Sequence, residues 1–173
     1  LFLSLFLKAE WIPLNSATRE KAPPSVTLVS QDLQSSVIRI ELSGFELKDF
    51  SAYGTTYQQL DLLNETFTTE AGMPELPYIA KILAIPDQAS IEVELIETGN
   101  ISIFRNIDLV PARESWFEGE AEPMYVRSSD AYRSGNLYPA AYAATDDPSV
   151  FRDFRITRLS VYPMRYIPGK KEL

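Results

Sequence analysis

The stretch IRIEL at residues 38–42 alternates apolar and charged side chains. Successive side chains of a β-strand point to opposite faces, so this pattern predicts a strand with one buried face and one solvated face. The same alternation occurs in IEVEL at residues 91–95 and resumes at Ile101 and Ile103, after Gly99-Asn100. Two alternating runs separated by such a pair predict a β-hairpin.

Similar patterns predict several further short strands. A helical turn is expected only around residues 128–133, because no stretch keeps apolar residues at helical spacing for three turns. Short strands, 12 prolines mostly at strand boundaries, and no βαβ alternation predict an all-β fold, an antiparallel sandwich of two packed sheets. The further strands are predicted at residues 26–30, 45–53, 56–62, 78–85 and 107–110.

The composition excludes several classes of function. The 173 residues include 45% hydrophobic side chains, which is enough for one globular domain with a core, and the formal charge of -8 disfavours a nucleic-acid partner. The chain contains no Cys and no His, so a disulfide, a thiolate metal site and the commonest general base are all missing. We therefore expect a protein that is not an enzyme, with no catalytic residues, cofactor or metal.

The first 24 residues are predicted to precede the domain. LFLSLFL at residues 1–7 is too short to span a bilayer, but it matches the end of the apolar region of a secretory signal. The alternative for this segment is an apolar tail or an edge strand. Residues 15–25 are polar and include Pro23-Pro24, as expected of a flexible leader, so the folded domain is predicted from Ser25 to Leu173.

A series of short motifs runs through the second half of the chain. GMPELP at residues 72–77 leads into the apolar run YIAKILAIP at residues 78–86, and RDFR at residues 152–155 and PMRYIP at residues 163–168 follow in order. This order resembles the propeptides of gingipain-type cysteine peptidases from Gly72 to the carboxyl end, whereas residues 25–71 match only in strand pattern. The motif residues expected to be structural are Gly72, Pro74, Leu76, Pro77, Arg152, Asp153, Arg155 and Tyr166.

The two prolines of the GMPELP motif suggest a scaffold role. Pro74 and Pro77 fix their own φ and push the preceding residues towards extended conformations, so the turn gives a stiff lead into the next strand. The tyrosines Tyr132, Tyr138 and Tyr166 are expected at the edge of the core, with each hydroxyl reaching water or backbone.

The RDFR motif has two interpretations. Arg152, Asp153 and Arg155 form a partly buried ion pair that pins the last hairpin, or they are solvated charges on the outer face of a strand. The ion pair is favoured because Phe151 and Phe154 indicate burial nearby.

The resemblance implies a function that the composition alone does not give. Prodomains of this family are understood to cover the catalytic cleft of the peptidase that follows them, which keeps it latent during export and helps it to fold. The expected partner is therefore a cognate cysteine peptidase catalytic domain, in cis and C-terminal to this chain. The expected location is the secreted fraction or the cell surface of a bacterium, by way of the periplasm.

The resemblance also directs attention to the loop after the middle hairpin, at residues 111–123. In arginine- and lysine-specific members, this loop is expected to carry the residue that blocks the primary specificity pocket. Residues 114–123 contain no Lys or Arg, which departs from that pattern. The candidate contact residues are Arg113, Trp116, Phe117 and Glu118, and the two aromatics are either interface anchors or part of the domain's own core.

Two other function classes remain open. A secreted carbohydrate- or surface-binding β-sandwich would use Trp116, Phe117 and Tyr125 as a stacking platform. An acid–base enzyme would use Asp146-Asp147, but adjacent side chains of an extended chain point to opposite faces, and the pair fits a turn better.

The glutamates of the loop suggest a further possibility. Glu118, Glu120 and Glu122 alternate and have the oxygen ligands that calcium prefers, but a charge run of this kind is usually a solvated loop.

Overall fold

The computed structural model describes residues 9–14, 20–32 and 34–173. The predicted signal segment, at residues 1–7, lies outside this described part. The strands are β1 (Ala9–Pro13), β2 (Ser25–Gln31), β3 (Ser36–Glu41), β4 (Gly44–Ala52), β5 (Thr55–Asp61), β6 (Thr66–Phe67), β7 (Pro77–Ile85), β8 (Ala143–Thr145), β9 (Ser149–Phe151) and β10 (Phe154–Val161). The helices are α1 (Ser129–Arg133) and a 3-10 turn at Pro168–Lys170.

All the strand pairs of the described chain are antiparallel, and they form three sheets. One sheet has the order β1-β4-β5, and β2 and β3 form a separate pair. The third has the order β6-β7-β10-β8, with β9 also paired to β10. The predicted all-β antiparallel fold with little helix is confirmed, although its strands divide among three sheets rather than two.

Strand β1 lies inside the stretch that the sequence assigned to a leader. It pairs along its length with β4, from Ala9 opposite Lys48 to Pro13 opposite Gly44. The Trp11 ring covers Gly44 so closely that a Cβ there would lie 2.6 Å from the ring. The described residues Ala9–Pro13 therefore form an edge strand of the β1-β4-β5 sheet.

The prediction of a hairpin at residues 91–103 is wrong, because this segment contains no strand. Its apolar side chains are exposed, with Ile101 at 73% and Ile103 at 60%. The chain that follows pairs elsewhere, because Phe104 and Leu173 exchange two backbone hydrogen bonds of 2.9 Å. An alternating run needs a covering layer to bury one face, and the described part of the chain provides none here.

The main core joins the β4–β5 sheet to irregular segments. Its central residue is Tyr166, which is 0% exposed and whose hydroxyl donates a 2.5 Å hydrogen bond to the carbonyl of Ile107. Burial raises the pKa of Tyr166 to about 12. The buried members of this cluster are Phe45, Leu60, Leu62, Leu76, Ile107, Leu109, Met164 and Tyr166.

The three tyrosines expected at the edge of the core differ in their surroundings. Tyr132 follows the prediction, since its hydroxyl donates to the carbonyl of Leu109 at 3.0 Å. Tyr138 instead reaches the carboxylate of Glu70 at 3.4 Å. Tyr166 lies inside the core rather than at its edge, because the chain around residues 163–168 crosses the buried cluster.

The predicted helical turn around residues 128–133 is confirmed as α1. Neither this helix nor any other in the described residues is long and apolar enough to cross a membrane.

Candidate functional site

The GMPELP turn holds both arms of the loop at residues 113–123. The amide of Gly72 donates to the carbonyl of Ala112 at 2.9 Å, just before the loop begins. The carbonyl of Gly72 accepts from the amide of Ser128 at 2.9 Å, after the loop has ended. Gly72 has a φ of +80°, a conformation that favours glycine. One residue therefore fixes the separation of the two arms.

The rest of the turn runs beside the incoming arm. The amide of Ala112 donates to the carbonyl of Met73 at 2.8 Å, and the amide of Glu75 donates to that of Val110 at 2.9 Å. Pro74 lies opposite Pro111 in an antiparallel bridge, at a position where neither residue has an amide to leave unpaired. The motif is thus a rigid base for the loop.

Arg113 closes the loop on itself. Its guanidinium carbon lies 4.4 Å from the centre of the Trp116 ring and 4.7 Å from that of Tyr125. Its Nη1 donates to Oε2 of Glu122 at 2.7 Å, and this hydrogen bond raises the pKa of the Arg113 guanidinium. The arginine is thereby stacked between two rings, and it ties the start of the loop to its end.

The stack continues from the loop towards the core. The Tyr125 ring meets Phe50 edge-on, with centroids 5.1 Å apart, and lies 6.3 Å from Tyr57. A second arginine, Arg127, lies 4.8 Å from the Tyr57 ring and 4.7 Å from that of Tyr132. A chain of rings and guanidinium groups therefore connects the loop to α1, an arrangement that motif spacing did not reveal.

A partly buried carboxylate lies beneath this stack. Glu75 accepts a 2.7 Å hydrogen bond from the side-chain amide of Gln59. Burial raises the pKa of the Glu75 carboxyl, and the positive charge of Arg113 acts in the opposite direction. Glu75 therefore links the GMPELP turn electrostatically to the loop that this turn supports.

The tip of the loop is a tight turn that separates the two candidate aromatics. The amide of Glu120 donates to the carbonyl of Phe117 at 3.1 Å, and Glu120 Oε2 accepts from the amide of Phe117 at 2.9 Å. Gly119 has a φ of +93° in this turn. Phe117 is 80% exposed at the tip, whereas Trp116 is 41% exposed and packs on Arg113.

This geometry does not favour the sugar-stacking platform. Trp116 and Tyr125 both pack against the Arg113 guanidinium, so part of each ring is covered by the cation. Among the described residues, the Phe117 ring makes no ring contact with Trp116 or Tyr125. No group of three or more His, Cys, Asp or Glu side chains in the described chain is arranged to hold a metal ion.

Comparison with known proteins identifies the family. The family model Propeptide_C25 matches residues 15–173. The chain belongs to this propeptide family. It is a gingipain-type prodomain.

The curated relatives are much longer than this propeptide. Gingipain R1 of Porphyromonas gingivalis is 29% identical over 107 residues, which are 61% of this chain and 11% of the relative. Gingipain R2 of Porphyromonas gingivalis strain ATCC 33277 is 23% identical over 152 residues, which are 87% of this chain and 20% of the relative. The propeptide thus spans a fifth or less of these proteins.

Two solved structures share the fold of the propeptide. One is the complex of the Porphyromonas gingivalis RgpB pro- and mature domains, with a TM-score of 0.78, 21% identity, and coverage of 87% of this chain and 80% of that chain. The other concerns the zymogenic latency of gingipain K from Porphyromonas gingivalis, with a TM-score of 0.79, 18% identity, and coverage of 95% and 91%.

The RDFR motif of the propeptide does not form the ion pair favoured from the sequence. Among the described residues, none of Arg152, Asp153 and Arg155 has an ion-pair partner. The expected burial is also missing, because Phe151 is 60% and Phe154 is 63% exposed. The reason is that the motif forms the exposed tip of the β9–β10 hairpin, where Phe151 pairs with Phe154.

Arg155 pins this hairpin in another way. Its Nη1 donates to the carbonyl of Pro86 at 3.0 Å and to that of Ala89 at 2.7 Å. These bonds hold the end of β7 to the hairpin through backbone acceptors rather than through a carboxylate. Arg152 occupies the turn with a φ of +55° and lies over the Phe151 ring at 5.6 Å.

The carboxylates of Asp146-Asp147 do not act as a pair. Asp146 Oδ2 accepts from Arg158 Nη2 at 2.8 Å across the β8–β10 edge, and both side chains are about half exposed. This is a surface ion pair, so the acid–base interpretation gains no support from the geometry.

Proposed function

We propose that this propeptide binds the catalytic domain of its own precursor, a gingipain-type cysteine peptidase C-terminal to it. It keeps that domain latent and assists its folding while the precursor is secreted from a bacterium by way of the periplasm. The observation that carries the proposal is the loop at residues 113–123, which is exposed at its tip and braced at its base. An exposed loop that is already ordered loses little conformational entropy on binding.

The loop contacts the peptidase through an aromatic tip rather than through a basic side chain. Its one arginine, Arg113, has a side chain only 19% exposed and already bound to Glu122, Trp116 and Tyr125. Releasing Arg113 into a partner would break all three contacts. The candidate contacts that remain free to meet a partner are Phe117 and Glu118, with Trp116 at their edge.

The proposal is tested by adding the propeptide in trans to the catalytic domain of the same precursor and measuring the inhibition constant. The wild-type propeptide is expected to inhibit, and refolding the catalytic domain with it is expected to raise the yield of active enzyme. A matched variant replaces residues 117–120 by a Gly/Ser linker and keeps the contacts of Arg113 with Trp116, Tyr125 and Glu122. It should keep the melting transition and lose inhibition. Full peptidase activity in the presence of excess wild-type propeptide would refute the proposed function.

A further inference from the structure

We propose that Phe117 is the principal anchor of this loop and that it fits an apolar pocket bordered by basic side chains on the catalytic domain. This inference rests on the proposed function and names the chemistry of the partner surface. It also separates two residues, Trp116 and Phe117, that the sequence presents as one pair.

The two aromatic rings of the loop have different surroundings. Trp116 packs on Arg113 and so stabilises the loop in the conformation in which Arg113 is stacked on Trp116. Phe117 makes no ring or cation contact with the described residues, and it presents its phenyl group to solvent. An apolar ring held in water at the tip of an ordered turn gains favourable free energy when a partner buries it.

The turn that carries Phe117 is held by two hydrogen bonds to Glu120. Its amide is held by the Glu120 carboxylate, and its carbonyl accepts from the Glu120 amide. Both polar groups of the Phe117 backbone are therefore satisfied before any partner arrives. Burial of the ring costs little further ordering, which is the condition that favours an anchor residue.

The loop around Phe117 carries a net negative charge. Residues 113–123 contain four glutamates and one arginine. Glu122 is paired with Arg113, whereas Glu114 and Glu118 have no ion-pair partner in the described chain. The exposed ring is thus accompanied by unpaired negative charge, which a partner surface matches with Lys or Arg around an apolar pocket.

The other exposed aromatic pair supplies a control. Phe151 and Phe154 are 60% and 63% exposed at the β9–β10 hairpin. They flank Arg152 and Asp153, whose opposite charges leave that tip without net charge. This second tip offers apolar area without the negative charge of the loop, so Phe151 is a suitable position for a matched substitution.

The test compares variants of the full propeptide against the catalytic domain of its precursor. Phe117→Ala is expected to weaken inhibition by at least about tenfold without moving the melting transition, whereas Phe151→Ala leaves inhibition unchanged. Phe117→Leu retains most of the affinity, because the pocket is apolar. Glu118→Gln slows association at low ionic strength and reduces its dependence on salt.

Two results would overturn the inference while leaving the proposed function in place. One is a Phe117→Ala variant that inhibits as strongly as the wild type. The other is a Phe117→Arg variant that inhibits more strongly, since this requires an acidic pocket. A wild-type propeptide that fails to inhibit would instead refute the proposed function itself.

Discussion

The carbonyl of Gly72 and the amide of Ser128 are joined by a 2.9 Å hydrogen bond, which connects the family turn to the far arm of the loop. A Cβ at position 72 would lie 3.1 Å from that same Ser128 nitrogen. The position therefore excludes a side chain for two reasons, its left-handed backbone and the closeness of its neighbour.

Gly72→Ala is expected to lower the free energy of unfolding by about 2 kcal/mol, measured by denaturant titration. Gly54→Ala is the matched control, because Gly54 has a φ of +78° but a Cβ at that position would meet no heavy atom within 4 Å. The control should show only the cost of the left-handed backbone. Equal losses in the two variants would mean that the contact with Ser128 contributes nothing.

Arg113→Lys is expected to loosen the loop while the rest of the domain stays folded. Lysine keeps the charge but loses the planar stacking on Trp116 and Tyr125, at a cost of about 1 kcal/mol. In a Trp11→Phe background, Trp116 is the only tryptophan, so its fluorescence should shift to the red and become easier to quench. Unchanged Trp116 emission would contradict the stacked arrangement.

Tyr166→Phe is expected to destabilise the core by about 1 to 3 kcal/mol at neutral pH, because it leaves the buried carbonyl of Ile107 without its donor. Tyr53→Phe, at an exposed position, should have little effect. The measurement is a thermal or denaturant unfolding curve for each variant.

The same variant predicts a difference at alkaline pH. The pKa of Tyr166 is raised from 10.0 to about 12, so the folded chain keeps a proton that the unfolded chain releases between these values. The wild type therefore loses stability as the pH rises through this range, and Tyr166→Phe should lose less. If the free energies of unfolding of the two proteins fell equally with pH over this range, the raised pKa would not belong to Tyr166.

Glu75→Gln is expected to change the pH dependence of stability on the acidic side. Burial raises the pKa of this carboxyl above its ordinary value. The protonated carboxyl therefore contributes to the stability of the folded state at low pH, and this contribution is lost as the pH rises through the folded-state pKa. The variant should therefore gain stability relative to the wild type between acidic and neutral pH. Unfolding curves across that range test this, with Glu92→Gln as the exposed control.

Much of the fold could be predicted because a strand with one buried face alternates apolar and polar side chains with a period of two residues. This alternation located β3, β4, β5 and β7 to within a few residues. The same alternation at residues 91–103 led to a wrong prediction. Alternation shows which side chains would lie on one face of a strand, but it does not show whether a second layer covers that face.

The loop could be located by motif order, but its internal contacts could not be predicted. Arg113 and Tyr125 are 12 positions apart, and they meet where the hydrogen bonds of Gly72 hold the two arms of the loop. Nothing in the sequence indicates that Trp116 faces the cation while its neighbour Phe117 faces solvent. Such contacts depend on the closure of a loop and leave no periodic pattern.

The stacking of Arg113 also determines which enzymes are able to cut the loop. A peptidase that cleaves after basic residues must draw the arginine side chain into its own pocket, and residues 114–126 offer no other Lys or Arg. The next one, Arg127, is itself stacked between two tyrosines. The loop therefore resists trypsin-like cleavage while it stays closed. The side chain of Phe117, which is 80% exposed at the tip, is accessible to peptidases that prefer aromatic residues.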